Sequence, residues 1–355
     1  MAISKVALDI IEKEIAGLEK QYKEEGIVLR NTDEMTKAAR ERYRVASTGS
    51  FSLDKALGVG GIPYGRTVEI FGEESSGKTT LCWNIIASVQ RDGGIACMID
   101  SENSADLEWA AKQGVIVEDL FISQPSYGEM AIDVAKKLIG SGQVRAVIFD
   151  SAAAMLPKVV YDSETNKRDY AQLARMLSQE LPQLQSISRT NDTLCLWTNQ
   201  VRDNMDTGSW GYSNPFTTPG GHALKFYSSI RVQCTPSTKD AETGRWINAT
   251  VVKSKVAPPF KKARFYISFT EGIDKIYELW EMGKNAKVLV AGGAYWKFAP
   301  DPTRFPERVM GTEGLLTRLR NDEVYRNAVI DALVNPKEPI KEETVSVRGQ
   351  EFEEE

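Results

Sequence analysis

Residues 72–79 read GEESSGKT, and the spacing Gly72, four residues, Gly77, Lys78, Thr79 is that of a loop built to cradle phosphate. The glycines let the backbone turn so that several N–H groups converge on one anion, and a following helix adds the positive end of its dipole. Glu73, Glu74, Ser75 and Ser76 lend their amides to that cradle, and Thr80 carries it into the helix. Lys78 offers a point charge to the β- and γ-phosphates, and the Thr79 hydroxyl offers a ligand to a Mg²⁺ ion bridging them. Such a loop works with a carboxylate at the end of a neighbouring strand, and the apolar run VRAVIFD ends in Asp150. The run IACMIDSE ends in Asp100 and Glu102, where a carboxylate can take a proton from an attacking water; capping a helix that starts near Ser104 is the plainer alternative for Glu102. TLCLWTNQ ends in Asn199 and Gln200, amides able to sense a γ-phosphate by hydrogen bonding or simply to finish a strand. TKDA at 238–241 lacks the spaced Asp of guanine-selective loops, so adenine is the expected base.

These groups need a scaffold that brings strand ends together, as open α/β sheets do at the carboxyl ends of their strands. Val68 and Ile70 precede the loop with β-branched side chains, and Leu81, Cys82, Ile85, Ile86 and Val89 follow it at helical spacing. From about residue 47 apolar strands alternate with amphipathic helices as far as TLCLWTN, which predicts an α/β fold, a mostly parallel sheet with helices on both faces. ALKFYSSIRVQCT, WINATVVKSK and ARFYISF then follow in quick succession and read as antiparallel strands added at one edge. Residues 1–46 hold a helical apolar stripe, a β-like GIVLR and a basic KAARERYR, with too little apolar surface for a core of their own. The expected organisation is a helix and strand over 1–46, the main α/β domain over 47–273, a small α+β domain over 274–335, and an acidic tail over 336–355 too polar to fold alone.

Residues 201–221, VRDNMDTGSWGYSNPFTTPGG, form a long aperiodic stretch of a kind that is uncommon unless functional or disordered. Trp210, Tyr212 and Phe216 in it can stack on bases and Arg202 can meet a phosphate, while a lid over the nucleotide is the competing role. A second polar stretch, YDSETNKRDYAQ, supplies Lys167, Arg168 and Tyr170. In the KSK run, strand alternation places Lys253 and Lys255 on one face, where a pair of like charges makes best sense opposite an anion; a solvated basic face is the bland alternative. The net charge of −5 excludes a uniformly basic nucleic-acid binder, so any such site is local. The four cysteines stand far apart without C-x-x-C spacing and read as small core residues, and the single histidine, His222, excludes a histidine-built metal centre. No apolar run spans a bilayer and the N-terminus carries acids through its apolar stretch, unlike a signal peptide, so a cytoplasmic protein without a membrane role is expected.

Taken together, STGSFSLDKALGVGGIPYGRTVEIFGEESSGKTTL, IDSEN, VIFDSAAAMLPK, LARMLSQ, TNQVR, GGHALKFYSSIR and VVKSKVAPPFK resemble the RecA family of bacterial and phage DNA recombinases over about residues 47–282. The resemblance implies a RecA-like P-loop ATPase core that uses ATP and Mg²⁺. It also implies assembly as a homo-oligomeric helical filament on single-stranded DNA, pairing with homologous double-stranded DNA, strand exchange in DNA repair, and help from single-strand-binding and loader proteins. By the same resemblance Lys78 and Thr79 match the phosphate and Mg²⁺ ligands, Glu102 the catalytic base, Asp150 the strand-end acid that holds Mg²⁺ through water and Gln200 the γ-phosphate sensor. Asp106 matches an acid that contacts adenine, and Trp109 stands where an aromatic ring lies against it. Phe226 matches a residue relaying ATP state across the subunit interface, and Lys253 and Lys255 match lysines that reach the neighbour's ATP. Lys167, Arg168, Tyr170 and Arg175 fall at the first DNA loop, and Arg202, Met205, Trp210, Tyr212, Gly220 and Gly221 at the second. The first loop departs from the family in lacking its glycines, and the C-terminal unit shares little beyond GGAYWKF. A nucleotide-switched assembly or ring helicase on the same core is the alternative; the paired lysines and the N-terminal segment favour a filament.

Overall fold

Nine of the β-prone runs join one sheet, and six of those nine strands are parallel. The computed structural model describes residues 43–163, 170–203, 216–237 and 242–335, together with residues 13, 14, 16, 17 and 20, which are helical. Two compact units divide the chain, Met1–Arg44 and Val45–Glu355. The expected strand GIVLR and the tail from 336 lie outside the described residues.

In the second unit β1 (Val45–Ala46) and β2 (Ile62–Pro63) pair antiparallel around helix α1 (Phe51–Ala56). The chain then runs through β3 (Thr67–Gly72), α2 (Lys78–Arg91), β4 (Ile95–Asp100), α3 (Leu107–Lys112), β5 (Phe121–Ser123) and α4 (Gly128–Gly140). Next come β6 (Val144–Asp150), α5 (Lys158–Tyr161), α6 (Tyr170–Thr190) and β7 (Leu194–Gln200). A short antiparallel pair, β8 (Arg202–Asp203) and β9 (Phe216–Thr217), leads to α7 (Ala223–Tyr227), β10 (Ile230–Pro236), β11 (Gly244–Ser254), β12 (Lys262–Ser268) and β13 (Gly272–Ile273). The last elements are α8 (Lys275–Asn285), β14 (Leu289–Gly292), β15 (Tyr295–Phe298), β16 (Val309–Met310), α9 (Gly311–Asn321) and α10 (Glu323–Val334).

The sheet order is β13-β12-β11-β10-β3-β7-β6-β4-β5. Both faces are covered, which is why β6 and β7 read as nearly unbroken apolar runs rather than as alternating ones. On one face α2 buries Leu81, Trp83, Ile85 and Ile86 against Val68, Ile70 and Ile148. On the other, Ile132 and Ile139 of α4 and Leu177 and Leu181 of α6 pack on Val147, Phe149 and Trp197, the last two rings stacked 3.8 Å apart. All four cysteines are buried within these layers and unpaired: Cys82 on α2, Cys97 on β4, Cys195 on β7 and Cys234 on β10. Burial pushes the Cys97 thiol up to about 11 and those of Cys195 and Cys234 up to about 12.

Two local expectations change. ALKFY forms the helix α7 instead of opening a strand, and β10 runs parallel to β3; only β11, β12 and β13 are antiparallel additions. Ala, Leu and Lys favour a helix, the end of α7 is secured by Ser228 Oγ donating to the Leu224 carbonyl at 2.6 Å, and this turn lets β10 enter in the parallel sense.

The C-terminal elements α8 to α10 and β14 to β16 enclose their own apolar cluster, including Leu279, Leu289, Phe298, Leu315 and Tyr325. Glu278 of α8 ties them to the core. Its fully buried carboxylate accepts from Ser50 Oγ at 2.6 Å, Ser52 N at 2.8 Å and Phe51 N at 3.1 Å, so it caps α1 across a sequence separation of more than 200 residues. Burial raises its pKa above the ordinary glutamate value.

Candidate nucleotide-binding site

The carboxyl ends of β3, β7, β6 and β4 stand side by side, with Gly72 in register with Gln200 and Asp100 with Asp150. One edge of the sheet therefore gathers the phosphate loop and the strand-end polar residues. The loop enters α2 through Gly77 at φ 77°, a backbone conformation that calls for glycine, with the end of the Ile267 side chain packed over it. Lys78 Nζ folds onto the loop, donating to the carbonyls of Glu73 at 2.6 Å and Gly72 at 3.2 Å and to Ser76 Oγ at 3.3 Å. Partial burial lowers its pKa, while Cys234, Asp150 and Glu102 act in the opposite sense.

Asp150 and Glu102 differ in their settings. Asp150, 6% exposed, accepts from Thr79 Oγ1 at 2.8 Å and from Thr198 Oγ1 at 2.5 Å, and burial raises its pKa. Glu102 is exposed and accepts from Ser151 Oγ. It does not cap the following helix: α3 starts at Leu107, three residues later than the expected Ser104. Asp100 explains the delay, because its buried carboxylate takes the amides of Glu102 (3.2 Å), Ser104 (3.3 Å) and Ala105 (3.1 Å) together with Gln124 Nε2 (3.1 Å). Asp100 thus fixes the turn that presents Glu102, a role its place in the sequence did not reveal. Thr198 was missed too, its only signal being a polar residue in an apolar strand.

Asp106 caps α3, accepting from Trp109 N at 2.9 Å, and Trp109 Nε1 donates to Thr80 Oγ1 at 3.3 Å. Trp109 therefore stands over the start of α2, in the wall of a cleft of about 500 Å³ that residues 75–80 line from the other side. Arg245, Ile247, Ile267 and Phe269 complete that wall, none of them singled out from sequence. Gln200 sits beside Gly72, its backbone N–H donating to Asn199 Oδ1 at 3.0 Å, and Asn199 in turn donates to the buried Glu69 and to the Pro219 carbonyl. A second cavity of about 460 Å³, bounded by Lys262, Arg264, Glu281 and Met282, holds none of these groups.

Lys253 and Lys255 lie elsewhere. Lys253 pairs with Arg231, Arg231 pairs with Glu69, and Lys255 N donates to the Ser229 carbonyl while Ser229 N donates to that of Thr67. Lys253 therefore stands level with Glu69, roughly 10 Å along the strand from Gly72, and Lys255 with the amino end of β3, roughly 15 Å away. Lys253 Nζ donates to the carbonyls of Lys225 (2.6 Å) and Phe226 (3.0 Å), closing the end of α7, and Phe226 itself is 68% exposed. Desolvation lowers the Lys253 pKa, and the nearby charges of Lys255 and Arg231 add to the effect.

For the DNA loops, Arg175 is exposed on α6, Tyr170 opens that helix, and Arg202 begins the β8–β9 pair at the base of the second loop. Gly220 and Gly221, both at positive φ, lie against Leu177 and Ala174 of α6. Lys167, Arg168, Met205, Trp210 and Tyr212 lie outside the described residues. Among the described residues no helix is long and apolar enough to cross a membrane.

A sequence model of the RecA N-terminal domain matches residues 9–274. Protein RecA of a Nitratiruptor species is 43% identical over 256 residues, 71% of this chain and 74% of that protein. Protein RecA of Nautilia profundicola is 44% identical over 255 residues, 71% and 72% of the two chains. Protein RecA of Chlorobaculum tepidum is 39% identical over 319 residues, 89% of each. With the phosphate loop, its strand-end carboxylates and a match that spans both ends of the sheet, this chain belongs to the RecA family.

Proposed function

We infer that this chain is an ATP-dependent homologous-recombination protein of the cytoplasm: it forms helical filaments on single-stranded DNA, pairs that strand with homologous duplex and exchanges strands, with DNA-stimulated ATP hydrolysis. The observation that carries this is the convergence of Lys78, Thr79, Asp150, Glu102 and Gln200 at adjacent strand ends in a chain of this family. Lys78 exchanges its loop carbonyls for β- and γ-phosphate oxygens. Glu102 receives the proton of the attacking water, Gln200 reads the γ-phosphate, and Trp109 lies against adenine with Asp106 holding its helix. The Thr79 hydroxyl and the buried Asp150 carboxylate form a hard-oxygen pair suited to Mg²⁺. Bound there, the ion would neutralise charge developing on the phosphates.

Lys253, Lys255 and Phe226 meet the next subunit, because their end of the sheet lies away from this chain's own phosphate loop. In this scheme residues 1–46 dock on a neighbouring protomer, 47–273 form the ATPase core, 274–335 a small C-terminal domain, and 336–355 a solvated tail. The two loops that begin near Tyr161 and Arg202 carry the DNA contacts, including Lys167, Arg168, Tyr170 and Arg175, and Met205, Trp210, Tyr212, Gly220 and Gly221. Loader and single-strand-binding proteins are the expected helpers. The test is a strand-exchange assay with homologous and heterologous duplex: exchange confined to the homologous partner and dependent on ATP is expected, and DNA-independent ATP hydrolysis by closed rings would point instead to a motor on the same core.

A further inference from the structure

We propose that Asn84 and Gln113 are positioning residues for the base of the nucleotide: the hydrogen bond between their side chains sets how Trp109 stands beside the phosphate loop. This rests on the reading of the cleft as a nucleotide site with Trp109 against the base. It adds two amides, each one helical turn beyond a residue of the cleft wall, Asn84 beyond Thr80 and Gln113 beyond Trp109.

Helix α3, which carries Trp109, has only 6 residues. A helix this short gains little from its own hydrogen bonds, so its orientation has to come from what holds its two ends. At the amino end Asp106 accepts from Trp109 N at 2.9 Å. At the other end the Gln113 N–H donates to the Trp109 carbonyl at 3.1 Å, and Gln113 Oε1 accepts from Asn84 Nδ2 at 3.0 Å. The same Asn84 nitrogen donates to the Thr80 carbonyl, also at 3.0 Å. One side-chain amide thus joins the turn of α2 that follows the phosphate loop to the end of the helix that bears the ring. On its far side the Gln113 amide lies against Gly272 at φ 83°, and Gln113 Nε2 makes a long contact of 3.5 Å with the Glu271 carbonyl.

A directional bond suits this task better than apolar contact alone. Ala110 seats α3 on the core, but apolar burial has no preferred direction and leaves the helix free to slide or turn. Two carbonyl oxygens on one Asn84 nitrogen fix the orientation of both amides. Asn84 is itself buried and packed against Gly49, which leaves its side chain little room to swing away. Trp109 Nε1 reaches Thr80 Oγ1 at 3.3 Å, a longer contact than the amide bond one turn further on. Loss of the Asn84–Gln113 bond would therefore release the end of α3 and with it the ring, while the loop amides, Lys78 and Thr79 keep their places. The base should be held less well and the phosphates as before.

The experiment is calorimetric titration of the full chain, without DNA, with ADP, and with pyrophosphate by displacement of ADP. Gln113→Leu is expected to weaken ADP binding about three- to tenfold, the range of one neutral hydrogen bond, and to leave pyrophosphate affinity unchanged. Because Gln113 acts through Trp109, the double variant Gln113→Leu with Trp109→Ala should bind ADP no more weakly than Trp109→Ala alone. Gln113→Asn, still an amide but too short to reach Asn84, should give the same split between the two ligands with an unchanged thermal midpoint, which separates a lost contact from a misfolded protein. Unchanged ADP affinity in Gln113→Leu and Gln113→Asn, equal losses of ADP and pyrophosphate, or additive losses in the double variant would overturn the proposal and leave the nucleotide site standing. A Trp109→Ala protein that binds ADP normally would remove the base assignment beneath it, and a wild type that binds no ADP would remove the nucleotide assignment itself.

Discussion

The two ends of the central sheet differ in what they leave uncovered. At the carboxyl end, Lys78 holds loop carbonyls, Thr79 and Thr198 hold Asp150, and Ser151 holds Glu102, so the groups that handle a nucleotide are already arranged around one another. At the amino end, Lys253 is tied to α7 while Phe226 stands in solvent beside it, an aromatic ring more than half uncovered. The first end is organised from within one chain, and the second presents an exposed ring that the proposed filament would cover.

Breaking the first end should have the largest effect. Lys78→Ala is expected to abolish ATP binding, and with it ATP-dependent DNA binding, whereas Glu102→Gln should still bind both and lose about 10²–10⁴-fold in turnover, since a base acts only on the attacking water. Parallel measurement of nucleotide affinity and hydrolysis rate decides this, and near-normal hydrolysis by Glu102→Gln would take that residue out of the base role. The second end is broken by Lys253→Ala with Lys255→Ala, a protein expected to bind ATP as a monomer yet neither hydrolyse it nor extend filaments. Mixing it with Glu102→Gln should restore part of the DNA-stimulated activity, because some junctions then pair an intact Glu102 with intact lysines. Silence at every mixing ratio, in filaments shown by microscopy to contain both proteins, would mean that the site is not divided between subunits.

A smaller loss is expected for Asp100→Ala, which leaves the amides of Glu102, Ser104 and Ala105 without their acceptor and loosens the turn under Glu102. Turnover should fall more than nucleotide affinity, a split visible in kcat against KM. The smallest effect concerns neither end. Because burial raises the Glu278 pKa above 4.5, the folded state keeps a proton that the unfolded state has released, and this contribution to stability falls as pH rises from 4.5 through the raised value. Denaturant midpoints of wild type and Glu278→Gln should therefore converge or cross as pH rises through that window, with ADP affinity unchanged; parallel pH profiles would remove Glu278 as their source.

How much of this was legible in sequence follows the range of the forces involved. The phosphate loop could be read because eight consecutive residues, Gly72 to Thr79, fix their own backbone. Asp150 and Glu102 could be read because apolar runs end at them and a parallel sheet aligns such ends. Asp100 looked like one more acid at a strand end, since the amides it gathers become neighbours only when the chain turns. Thr198 and Arg245 reach the site from strands distant in sequence, and nothing local marks them. ALKFY misled for a different reason: five residues with aromatic and apolar side chains suit strand and helix alike, and Lys253, some 26 residues further on, secures the helical end.

The buried cysteines have a practical consequence for watching this protein at work. A thiol whose pKa stands at about 11 or 12, inside a packed layer, is almost wholly unionised and shielded at neutral pH, so alkylating reagents find little to attack in the native chain. Labelling then proceeds only as fast as the structure opens, and each thiol reports on its own element: Cys97 on β4, Cys195 on β7, Cys234 beside the phosphate loop. A single cysteine introduced on the surface would be modified alone, without first removing the four natural ones.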